Sequence, residues 1–144
     1  DQEALYDLVR LAEGAGQRWL RPIHRRHYVV SADERLLRRL KSLVTRERER
    51  RWGMSGSSGL DAAVSLRLTS LWNLQPHRLR LWVRPERRGQ LETQLASDVC
   101  SLLSRQTLRP VRASLPVCEH RATAALIDAG FRAVRTLVLM RRSI

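Results

Sequence analysis

The sequence predicts an α/β (α+β) domain with a mixed, mostly antiparallel central sheet flanked by helices on both faces. Three observations carry this. Two stretches, 62–69 and 78–83, alternate apolar and polar residues with the period of half-buried strands and are joined by a proline-containing turn, the pattern of a hairpin. After them the pattern switches to helix, strand, helix, strand, which implies a mixed sheet covered by helices. The chain has 144 residues, of which 43% are hydrophobic, enough for one domain over 1–144 with a buried core.

Leu5, Leu8, Val9 and Ala12 recur at helical spacing, so a helix is expected over 2–13, closing near Gly14 and Gly16. In 17–30, Pro22 breaks regularity and Tyr28-Val29-Val30 reads as a short strand. Ser31 and Glu34 have capping-box spacing ahead of Leu36, Leu37, Leu40, Leu43 and Val44, predicting a helix over 33–46. Arg46–Arg51 alternates Arg with Glu and reads as the solvated end of that helix. Trp52 and Met54 fit a short strand before the Ser/Gly turn of 55–59.

In the hairpin, Ala62, Val64, Leu66 and Leu68 form one face and Ala63, Ser65, Arg67 and Thr69 the other. Asn73–Pro76 supplies the turn, and Leu79, Leu81 and Val83 then alternate with Arg78, Arg80 and Trp82. Beyond Arg88-Gly89, the stripe Leu91, Leu95, Val99, Leu102 predicts a helix to about residue 104. Val111, Ala113 and Leu115 predict a strand ended by Pro116. Ala122, Ala125, Leu126 and Ala129 predict a helix that Gly130 closes in the left-handed conformation. Phe131–Met140 predicts a final strand, apolar on both faces over 137–140.

The formal net charge is +13. Only Lys41 is a lysine among the 27 basic residues, and the arginines are spread along the chain. A solvated basic surface is the preferred reading over a dedicated nucleic-acid face, and such a surface also attracts phosphorylated small molecules. Cys100 and Cys118 lie in separate elements without CxxC or Cys/His spacing, so two thiols in a reducing cytoplasm are expected rather than a zinc site. No apolar run is long enough to span a bilayer, no leader pattern is present, and a cytoplasmic protein without a membrane partner is expected. The chain begins with Asp rather than Met, so its start is expected to lie outside this sequence.

The segment Trp82–Thr93 links fold to chemistry. A strand that runs through Val-x-Pro into an Arg-Gly turn and then a helix leaves backbone N–H groups, at the positive end of the helix dipole, able to cradle a phosphate or diphosphate. With Val83-x-Pro85-x-x-Arg88-Gly89 and the tail Ala122…Leu126…Gly130-Phe131…Met140, the element order resembles the GNAT superfamily of acyl-CoA-dependent N-acyltransferases, from about Ala62 to Met140. At the N-terminus Asp1–Val9 is similar to the first helix of that family, without the strand that normally precedes it.

This resemblance implies a GNAT-like fold, acetyl-CoA or another acyl-CoA as donor, and an amine acceptor that attacks the thioester in a ternary complex. It implies a donor-binding segment of Leu81, Trp82 and Val83, from which a backbone N–H meets the acyl carbonyl. Arg88, Gly89, Gln90, Leu91, Glu92 and Thr93 would form the loop on the diphosphate. Leu91 stands where the family has a second glycine, and Thr93 at its last small position. A side chain at 91 narrows the approach of backbone to phosphate, so weakened or altered binding is expected.

The Tyr that protonates the leaving thiolate in the family falls on Leu126, which cannot donate a proton, and the family's helix-start Asn falls on Glu119. His77, Glu119 and His120 are the ionisable candidates for a base, with His77 and Glu119 retained as catalytic candidates. Each also has a plain structural reading, at the surface or capping a helix. Cys118 and His120 are two residues apart and would point to different helix faces, so a Cys/His pair is not expected. Two alternatives stand beside the enzyme: a degenerate GNAT fold serving as a ligand-binding or interaction module, and a nucleic-acid-binding basic domain. A homodimer is left open, and the acceptor is not legible.

Overall fold

A computed structural model describes residues 2–14, 18, 22–29, 31, 34, 37, 48–57, 59–69, 75–105 and 109–137. The elements are α1 (Gln2–Ala12), β1 (Arg48–Gly56), β2 (Gly59–Leu68), β3 (His77–Val83), α2 (Glu92–Leu103), β4 (Val111–Ala113) and α3 (His120–Asp128), with 3-10 turns at Arg25–His27 and Pro85–Arg87. The strands form one sheet in the order β1-β2-β3-β4. β1, β2 and β3 pair antiparallel, and β4 joins β3 in parallel after the α2 crossover. The domain is therefore mixed α/β with a mostly antiparallel sheet, as the sequence predicts.

Residue alternation decides what each face carries. Ala62, Val64 and Leu66 lie opposite Val83, Leu81 and Leu79, and all six point to the side on which Leu95, Ala96 and Val99 of α2 and Ala125 and Leu126 of α3 pack. On the other side, Ala63 and Trp82 are opposite each other and meet Leu5, Leu8, Val9 and Ala12 of α1. Both faces of β2 are thus buried from Asp61 to Leu66, although the alternation of 62–69 by itself suggested one. Removing the largest of these side chains from water is worth ~2 kcal/mol each.

Several expectations are met in detail. α1 ends at Ala12, one residue short of the predicted helix. Gly130 has φ +94, its N–H donates to the Ile127 carbonyl and that of Phe131 to the Leu126 carbonyl, the paired bonds of a glycine-closed helix. The Ser31 Oγ accepts the Glu34 N–H at 3.3 Å, and Glu34 and Leu37 are helical. The remainder of the predicted 33–46 helix, and the Asn73-Leu74 part of the hairpin turn, lie outside the described residues.

Three expectations are corrected. Residues 48–51 open β1 rather than end a helix, because Arg48–Arg51 find ladder partners in Leu68–Ser65 of β2; strand pairing overrides the helix-compatible Arg/Glu pattern. Tyr28-Val29 does not form a strand: the Val29 N–H turns back to the Arg25 carbonyl at 2.8 Å, and the Tyr28 ring packs edge-on against Trp82, 6.4 Å between centroids. Phe131–Leu137 is not a strand either. Arg132 and Arg135 interrupt the apolar pattern there, Val134 is 90% exposed, and neighbouring β4 is only three residues long. No helix among the described residues is long and apolar enough to cross a membrane.

Candidate functional site

The site grows out of the stretch of β3 that runs on past the end of β4. The His77 N–H donates to the Pro110 carbonyl at 2.9 Å on the β4 side, whereas the Arg84 N–H donates to the Asp61 carbonyl at 2.8 Å on the β2 side. Backbone groups alternate sides along a strand, so the N–H groups of His77, Leu79, Leu81 and Val83 all point toward β4. Pairing with β4 stops at Leu79 opposite Ala113, while β3 continues to Val83. Leu81 and Val83 consequently direct their N–H groups to the side of β3 beyond the end of β4, with no ladder partner among the described residues.

Beyond Val83 the chain turns. Arg87 and Gln90 donate their N–H groups to the carbonyls of Arg84 and Arg87, at 2.9 and 3.2 Å. Gly89 then takes φ +85, a conformation that suits residues without a Cβ. Leu91 is half-buried against the core and stands at the N-cap of α2. The side chain at the expected glycine position is therefore the apolar anchor of the turn. Gln90 and Thr93 are exposed.

Glu92 takes a role the sequence did not reveal. It is 2% exposed, its Oε2 accepts the Gly89 N–H at 2.7 Å, and its buried Oε1 has no hydrogen-bond partner. The chain's own carboxylate occupies the N–H that was expected to receive a phosphate. A legible signal existed: an acid three residues beyond the turn and in a helix's first turn is the spacing at which a side chain reaches back to a backbone donor.

Arg88 also faces inward. Its guanidinium donates to the Ala12 carbonyl at the end of α1 and pairs with Glu119 at the start of α3, at 2.8 and 2.5 Å, so it ties two helices to the turn. Glu119 stands at the N-cap of α3 without making a side-chain cap bond. Burial holds its carboxyl above the usual carboxylate range; Arg88 pulls against this, and the nearby Glu92 carboxylate adds to it. Asp61, 7% exposed, pairs with Arg84 and Arg87 on the other side of the turn.

The predicted base candidates are not brought together. Glu119 is at the turn, but His77 begins β3 at the opposite end of the strand, about 20 Å away at strand rise. The His77 Nδ1 accepts the Thr69 N–H at 3.0 Å, and burial, helped by Arg109, depresses its pKa. It is a structural histidine at the base of the sheet. His120 is exposed at the first position of α3, and Leu126, where the resemblance wants a proton donor, is buried among core side chains. Cys100 is half-buried and Cys118 exposed.

Arg121, on the first turn of α3, was not singled out by sequence. A methyl group at Gly89 would lie 3.7 Å from both its Cδ and Nε, so the side chain runs alongside the turn. It is exposed, and among the described residues it makes no hydrogen bond or ion pair. Comparison of the chain with protein-family models, with curated proteins and with solved structures finds no match.

Proposed function

We propose that this domain binds an acyl-CoA along the edge of β3 that runs past the end of β4 and transfers the acyl group to an amine, in the manner of the GNAT superfamily it resembles. The observation that carries this reading is the early end of the parallel pairing. It leaves the Leu81 and Val83 N–H groups, directed away from β2, beside the Arg88-Gly89 turn. Unpaired strand N–H groups suit the amides and thioester carbonyl of a pantetheine arm, which an extended ligand can meet as an added strand would. A donor N–H aimed at the thioester oxygen stabilises the charge that develops there during attack.

In that reaction the amine nitrogen bonds to the thioester carbon, the carbon–sulfur bond breaks, and the amine's proton leaves. Glu119 is the carboxylate at the start of α3 that pairs with Arg88 of the turn, and burial raises its pKa, the direction that suits a proton acceptor. The departing thiolate takes its proton from water, since Leu126 cannot supply one. A CoA-dependent reaction fits a cytoplasmic setting.

A second reading, a fold that binds ligand without catalysing transfer, is favoured by the Glu92 carboxylate on the Gly89 N–H and by Leu126. Titration calorimetry with acetyl-CoA, followed by thiol release in the presence of primary amines, separates the two. Binding in the sub-millimolar range, about −4 kcal/mol or stronger, with amine-dependent thiol release supports the transferase. Binding without release supports the second reading. No heat at millimolar acetyl-CoA removes both.

A further inference from the structure

The turn presents a conflict of charges that points to how a donor would be held. The Gly89 N–H is already bonded to Glu92, the Arg88 guanidinium is divided between Glu119 and the Ala12 carbonyl, and Arg87 is engaged by Asp61 and Gln90. A phosphate arriving at the backbone would meet a carboxylate in its place. The guanidinium beside this turn that lacks a partner among the described residues is that of Arg121, carried on α3 and lying along Gly89.

We propose that Arg121 is the phosphate ligand of this site, so that recognition of a phosphorylated pantetheine thioester has passed from the turn's amides to one side chain. This rests on the acyl-CoA reading above. A guanidinium provides paired donors that fit phosphate oxygens, and as a side chain it adapts where a capped backbone cannot. The Glu92 carboxylate, close behind, keeps the phosphate on the solvent side of the turn.

Calorimetry with acetyl-CoA and with S-acetylpantetheine, which lacks all phosphates, tests this on the wild-type chain, R121A and R121K. Wild type should prefer acetyl-CoA. R121A should lose about tenfold or more in acetyl-CoA affinity, the weight of a charge-assisted contact, while its S-acetylpantetheine affinity stays within about twofold. R121K should recover part of the loss. Arg121 is exposed, and an unchanged thermal melt of R121A excludes a folding cause. If R121A keeps the wild-type ratio of the two affinities, or wild type shows no preference for acetyl-CoA, the proposal is overturned while the acyl-CoA reading survives. If neither thioester binds wild type, the acyl-CoA reading fails and this proposal with it.

Discussion

At Gly89 two requirements meet: a left-handed backbone at φ +85, and an N–H given to the Glu92 carboxylate three residues on. Gly89→Ala meets no steric wall, since its Cβ would be at ordinary contact distance from Arg121, so its cost is the dihedral alone, about 1–2 kcal/mol. A thermal melt should show a loss of a few degrees; an unchanged melting temperature would mean that the turn relaxes. His77 makes a different kind of prediction. Its Nδ1 is an acceptor, so the proton of the neutral ring is on Nε2, which is buried without a hydrogen-bond partner. The folded-state pKa lies below the ordinary 6.5. The unfolded chain therefore binds the proton more readily, and stability, fully present above about pH 6.5, is lost as pH falls toward the depressed folded value. Glu119 acts in the opposite sense, since a carboxyl held high loses stability as pH rises through its folded pKa. Comparing urea unfolding of wild type with His77→Asn, whose side-chain oxygen can still accept from Thr69, isolates the histidine. The variant should lack the acid-side loss, and equal slopes in the two proteins would remove His77 as its source.

Among the elements, α2 does most to hold the sheet's site-bearing face: Leu95 and Val99 are fully buried against β2 and β3. Leu95→Ala should cost about 2–5 kcal/mol in denaturant unfolding; a loss under 1 kcal/mol would mean that the α2 face is not packed as described. The ease with which elements could be read follows from where their determinants lie. The period-two pattern of 62–69 and 78–83, the stripe Leu91, Leu95, Val99, Leu102 and the glycine at 130 are local, and the hairpin, α2 and the end of α3 followed from them. The strand at Trp52 and Met54 was legible, but its start was hidden because Arg48–Arg51 hold strand conformation only through partners in Leu68–Ser65, well along the chain. Tyr28 was misplaced because its ring packs against Trp82, a long-range contact that no local pattern encodes. The turn's position was legible from Arg88-Gly89, but its chemistry was not. Whether Glu92 points to solvent or caps Gly89, and whether Arg88 is free or bound to Glu119, depends on three segments converging in space.

At the scale of the whole molecule, the net charge of +13 creates a field that favours polyanions of every kind. Much of it is diffuse: Arg48, Arg50 and Arg51 are exposed on the edge strand β1, while Arg112, Arg132 and Arg135 are exposed in the second half of the chain. Binding to a DNA duplex, followed by fluorescence anisotropy, should therefore be weak and fall steeply between 50 and 200 mM salt. Tight binding that persists at 200 mM would instead favour a dedicated nucleic-acid face. The central claim is that the edge of β3 beyond β4, without a ladder partner among the described residues, receives the donor. Titrating the 15N-labelled protein with acetyl-CoA while following its amide resonances reads that edge atom by atom. The Leu81 and Val83 amides, together with those of the Arg88–Glu92 turn, should shift in a saturable way. Shifts confined to other surfaces, or none up to millimolar acetyl-CoA, would contradict a donor site at this edge.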